Sequence, residues 1–122
     1  MKKILGMLAM ALCLIGCSKG PDKVAVKFFE AMADGDFDKA AEYAAKDTKP
    51  MIKMMAGMPN AKEESQKENK GAKFKAVETK INGDKASVKV ERTKDGKTET
   101  NDVNLVKEDG DWKVAVDKNN MN

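Results

Sequence analysis

Apolar positions along this chain fall into three regimes, each with its own period. The first is a continuous apolar run from Ile4 to Ile15, preceded by Lys2 and Lys3 and closed by Gly16-Cys17. The second has helical spacing. Behind Pro21-Asp22, the positions Val24, Phe28, Phe29 and Met32 recur every three or four residues, with Ala25, Ala31 and Ala33 as small packing positions. Gly35 stops this helix, and Asp36 can cap the next, predicted from Phe37 to about Lys46 with Ala40, Ala41, Tyr43 and Ala44. A third helix is predicted from about Thr48 to Met58, with Pro50 tolerated in its first turn. Apolar faces this wide need another surface to cover them.

The chain then turns polar, and residues 58–71 read as an exposed linker that could be helical in part. From Gly71 the period becomes two. Phe74 and Ala76 alternate, and the pattern slips to Val77, Thr79 and Ile81, which predicts a bulge or strong bend near Ala76. Asn82-Gly83-Asp84, Asp95-Gly96 and Asp109-Gly110-Asp111 are tight-turn signals. Between them lie strands with Ala86, Val88 and Val90, then Val103 and Leu105, then Trp112, Val114 and Val116 facing inward. Helices first and strands afterwards predict an α+β domain: N-terminal helices packed on a curved four-stranded antiparallel meander.

The opening run changes the picture of where the domain works. A basic start and roughly a dozen apolar residues form the anatomy of a signal peptide. A membrane-spanning helix needs roughly 20 apolar residues, and this run is shorter. Leu14-Ile15-Gly16-Cys17 resembles the lipobox of bacterial lipoproteins, with Ile15 larger than usual and Gly16 suited to a small peptidase subsite. The resemblance implies diacylglycerol on the Cys17 sulfur, removal of the leader and acylation of the new N-terminus. The organisation expected is therefore a signal peptide over 1–16, a lipidated tether over 17–21 and a single domain over 22–122. Two or three acyl chains make such anchoring stable where one is marginal. Ser18, rather than an aspartate, follows Cys17; in a Gram-negative host this resembles sorting to the outer membrane, facing the periplasm.

Composition then excludes several classes of function. With Cys13 in the leader and Cys17 lipidated, no free thiol or disulfide is expected in the mature domain. Setting aside Lys2 and Lys3, 21 basic residues face 20 acidic ones, which does not suit a nucleic-acid binder. The chain holds no histidine, so the commonest general base, the commonest zinc ligand and every histidine-based nucleophile arrangement are missing.

Phe28-Phe29, Gly35-Asp36-Phe37 with Ala40, Ala41 and Tyr43, and Gly83-Asp84-Lys85-Ala86 with Val88 and Val90 resemble small bacterial lipoproteins of a domain-of-unknown-function family. Val106 to Val114, with its Asp109-Gly110-Asp111-Trp112 turn, resembles that family's closing strands. The family belongs to the nuclear-transport-factor-2-like, or lumazine-binding-like, superfamily, and the resemblance implies a cone of helices against a curved antiparallel sheet. That superfamily houses enzymes, small-molecule binders and interaction modules, so the fold alone assigns no function. Its enzymes commonly place an Asp-His pair in the cone, and this chain has no histidine to do so.

The candidate surface consists of Met51, Met54, Met55 and Met58, with Tyr43 and Trp112. The four methionines fall at i, i+3, i+4 and i+7, on one helical face, where flexible thioethers either pack on the sheet or form an adaptable apolar wall for a ligand or partner. Thioethers also suit Cu(I), but no histidine or cysteine accompanies them, and no resident metal or cofactor is expected. Trp112 reads first as core and Tyr43 as a polar handle within the cone. Asp109 and Asp111 lack the oxygen count for Ca²⁺ and are explained by turn chemistry. The expectation is a non-enzymatic, membrane-attached envelope protein that binds a small apolar ligand or another envelope protein. The alternative is an enzyme using only carboxylates and Tyr43.

Overall fold

The computed structural model describes residues 20–116. The leader and Cys17 lie outside the described residues, as do Ser18 and Lys19 of the tether. Helix α1 (Pro21–Ala33) begins at the proline itself, whose missing N–H costs nothing at a first helical position. It buries Val24, Ala25, Phe28 and Ala31 on one stripe, with Phe29 and Met32 half-buried beside them. Gly35 ends it with φ +75°, and the Asp36 amide folds back onto the Ala31 carbonyl at 2.9 Å. Asp36 then accepts from the Lys39 amide at 3.2 Å and caps α2 (Phe37–Glu42).

Four strands follow in sequential antiparallel order: β1 (Lys73–Asn82), β2 (Lys85–Lys94), β3 (Lys97–Glu108) and β4 (Asp111–Ala115). The register slips once, where Ala76 opposes Val90 but Glu78 opposes Lys89, leaving Val77 as the bulge residue. Asp95 and Gly96 both have positive φ, as do Asp109 and Gly110. That geometry matches the right-handed twist of the flanking strands and holds each hairpin to two residues. The predicted inward positions Ala86, Val88, Val90, Val103, Leu105, Trp112 and Val114 are all buried, against α1 and α2.

Two helix ends differ from the sequence-based expectation, and the polar segment takes the partly helical form left open for it. Helix α2 stops at Glu42 rather than near Lys46, because the next residues pair with the sheet. The Val114 amide donates to the Tyr43 carbonyl at 2.7 Å, and the Ala45 amide donates to the Val114 carbonyl at 2.8 Å. This isolated parallel bridge engages the outer edge of β4 at Val114. Helix α3 (Lys49–Ala56) ends at a Gly57 cap, so Met58 lies beyond it. The expected linker contains a helix, α4 (Ala61–Glu68), which buries no residue fully yet is fastened by polar side chains. Gln66 Nε2 donates to the Asp34 carbonyl at 2.9 Å, and Arg92 reaches its C-terminal end.

Candidate ligand-binding site

The site begins with the edge bridge. Holding Ala45 against Val114 carries residues 45–48 across the end of the sheet, and Thr48 becomes buried at 2% exposure. A buried hydroxyl needs a partner, and Thr48 Oγ1 accepts from the Val116 amide at 3.1 Å. The Lys46 amide donates to the Glu108 carboxylate, 3.3 Å from each oxygen, which ties the same segment to the end of β3. Between this segment and the sheet lies an open cleft of about 520 Å³. Val106, Ala115 and Val116, all half-buried, give it apolar surface, Ala45, Ala86 and Leu105 close it from the core side, and Asp47, Lys85 and Glu108 give it charge. A smaller recess of about 180 Å³ runs between Phe28, Phe29, Val103 and Val116. Val116 borders both spaces.

The predicted candidates are dispersed relative to this cleft. Met55 packs against the core and Met51 is half-buried, whereas Met54 and Met58 are 67% and 53% exposed. The residue that α3 seals is Ile52, and the helix packs chiefly on α2 rather than on the sheet. The methionines therefore do not form a single buried face. Tyr43 is the C-terminal cap of α2, half-buried, and its carbonyl belongs to the edge bridge; it does not border the cleft. Trp112 is buried in the core, with Lys107 Nζ 5.3 Å from its ring centroid. Its place is structural rather than a stacking platform, as an alternating strand position implies.

Sequence reasoning missed Thr48 and Glu108. A threonine ahead of Lys49-Pro50 reads as a helix cap, and nothing local shows that its hydroxyl serves a strand 68 positions away. Among the described residues, no group of three or more acidic, cysteine or histidine side chains is placed to hold a metal ion. Nor is any described helix long and apolar enough to cross a membrane.

Comparison with known proteins adds the family. A solved structure from Campylobacter jejuni, described as an NTF2-like transpeptidase, aligns with TM-score 0.64 at 19% identity, covering 81% of this chain and all of that one. An NTF2-like protein of unknown function from Shewanella baltica OS155 aligns with TM-score 0.51 at 16% identity, covering 76% and 84% of the two chains. At such identities the likeness shows the fold: helices against a curved antiparallel sheet. No curated protein matches the chain. The family model described as Domain of unknown function (DUF4878) matches residues 15–115, so the chain belongs to that family and carries an NTF2-like α+β fold.

Proposed function

We propose that this chain is a non-enzymatic, lipid-anchored protein of the cell envelope whose domain binds a small apolar or amphipathic ligand in the cleft beside Thr48. The observation that carries the binding reading is the cleft itself: half-buried apolar surface from Val106, Ala115 and Val116 beside Lys85, Asp47 and Glu108. An apolar wall with a few polar groups is the usual form of a small-molecule site. An amphiphile fits this chemistry, its chain along Val106 and Val116 and its polar head among Lys85, Asp47 and Glu108. The carboxylates nearby are poorly placed as acid-base groups, since Asp47 is exposed and Glu108 is engaged by the Lys46 amide. The absence of histidine from the whole sequence supports the same reading.

Calorimetric titration with laurate tests the binding. Saturable micromolar binding is expected for the wild type, weakened at least tenfold in Val116→Asp; no saturation up to the solubility limit of laurate sinks the proposal. The anchor is tested separately by mass spectrometry of membrane-extracted protein. Diacylglycerol on an N-terminal Cys17 is expected, and an intact leader or unmodified Cys17 contradicts it.

A further inference from the structure

The two edges of the sheet are treated differently. The outer edge of β4 is met at Val114 by residues 43–45, whereas among the described residues β1 pairs only with β2. An open edge presents unpaired N–H and C=O groups to any strand that fits beside it. On β1 that edge carries two of the large exposed hydrophobics, Val77 at 43% and Ile81 at 59%. Thr79 opposes Val88 and Ile81 opposes Ala86, so both occupy the face of the sheet that carries the core, beyond the reach of the helices. Val77 falls two residues before Thr79, in period with them.

We propose that residues 76–82 of β1 pair antiparallel with the same residues of a second copy of this chain, about a two-fold axis at Thr79. In an antiparallel self-pair, the axis residue meets itself and its neighbours meet in mirrored order. Centred on Thr79, Glu78 meets Lys80 twice and Val77 meets Ile81 twice. Opposite charges and apolar pairs directly across a ladder are both stabilising. The alternatives are worse in identifiable ways. Centred on Glu78, two like carboxylates meet; centred on Lys80, two like ammonium groups meet, and both arrangements leave Val77 without Ile81. The same side chains now interact within one copy at the surface, Glu78 with Lys80 at 3.4 Å and with Lys89 at 3.9 Å. Lys80 and Glu78 are 78% and 48% exposed there, so both can be shared with a second copy. The lysines of β1 guard the edge against indiscriminate pairing, and this register sets Lys80 opposite a carboxylate.

The test is site-directed crosslinking of the full chain in bacterial cells, using diamide as the oxidant. Thr79→Cys places two thiols together on the axis and is expected to give at least tenfold more disulfide dimer than Lys67→Cys, an exposed control on α4. Adding Glu78→Lys puts lysine opposite lysine and is expected to lower the yield at least tenfold. The charge swap Glu78→Lys with Lys80→Glu is expected to restore it. Circular dichroism of each variant checks that the fold survives. Yield from Thr79→Cys no higher than the control overturns the proposal, as does an adduct whose mass is not two chains. Yield indifferent to Glu78→Lys overturns the register.

Discussion

Arg92 Nε donates to Asn69 Oδ1 at 2.9 Å, and this contact fastens residues 61–69 to the sheet as a seated helix. The guanidinium also donates from Nη2 to the Glu68 carbonyl at 3.1 Å and faces Glu99 at 3.4 Å across the β2–β3 ladder. Asn69 is itself held, with Nδ2 donating to the Ser65 carbonyl at 2.9 Å. A cation at a helix C-terminus satisfies carbonyls that have no partner within the helix. An eight-residue helix with no fully buried side chain does not persist alone in water. Arg92 supplies part of what it lacks.

Arg92→Lys preserves the charge but not the planar fork that reaches two acceptors at once. Loss of one or two partly buried charge-assisted bonds costs about 1–3 kcal/mol. A lower urea midpoint at unchanged slope is expected, with faster hydrogen exchange at residues 65–69. An unchanged exchange rate there contradicts the fastening role.

The contrast between this helix and the strands shows what the sequence could reveal. The inward positions of β2, β4 and the second half of β3 were legible because burial there follows a period of two, and the turns are two-residue signals, Gly83-Asp84, Asp95-Gly96 and Asp109-Gly110. The bulge at Val77 was legible for the same reason, as a slip in that period. Helix α4 was legible only as a polar segment that could be helical in part, because its anchors are polar and long-range: Gln66 to Asp34, Asn69 to Arg92. The early end of α2 was equally hidden, because Ala44 has good helix propensity and only the β4 edge outcompetes it. The cleft depends on that early end, so its walls were not legible either.

Gly35 is constrained twice over. Its φ of +75° is a conformation that costs an L side chain about 1–2 kcal/mol. A Cβ there would also stand 2.9 Å from both the Cα and the carbonyl oxygen of Lys62, at the start of α4. Gly35→Ala is therefore expected to cost more than the conformational part alone, and to loosen α4 along with the α1–α2 turn. Thermal unfolding gives the first and hydrogen exchange at residues 61–68 the second; a cost below about 1 kcal/mol contradicts the close approach.

Thr48→Val keeps the shape of a buried side chain and removes its oxygen. The Val116 amide then loses its acceptor at the end of β4, a loss of about 1–3 kcal/mol if water cannot replace it. Thr48→Ser retains the acceptor and is expected to lose less than half as much. Denaturant titration of both variants reads the difference. Equal losses would assign the effect to the missing methyl contacts instead.

The apolar residues of α3 divide sharply in their expected effects. Ile52 is 2% exposed and joins the core, so Ile52→Ala opens a cavity worth about 2–5 kcal/mol. Met54 is 67% exposed and Met58, past the helix end, is 53% exposed. Replacing either by lysine removes little buried area and is expected to change stability by no more than about 0.5 kcal/mol. The i, i+3, i+4, i+7 spacing would place all four methionines on one face of an unbroken helix; the Gly57 cap removes Met58 from it, and Met54 lies on the side of the helix away from the buried Ile52. Parallel thermal melts of Ile52→Ala, Met54→Lys and Met58→Lys measure the division. A loss at Met54 or Met58 approaching that at Ile52 would mean that a surface exposed in the single chain is covered in the assembled protein.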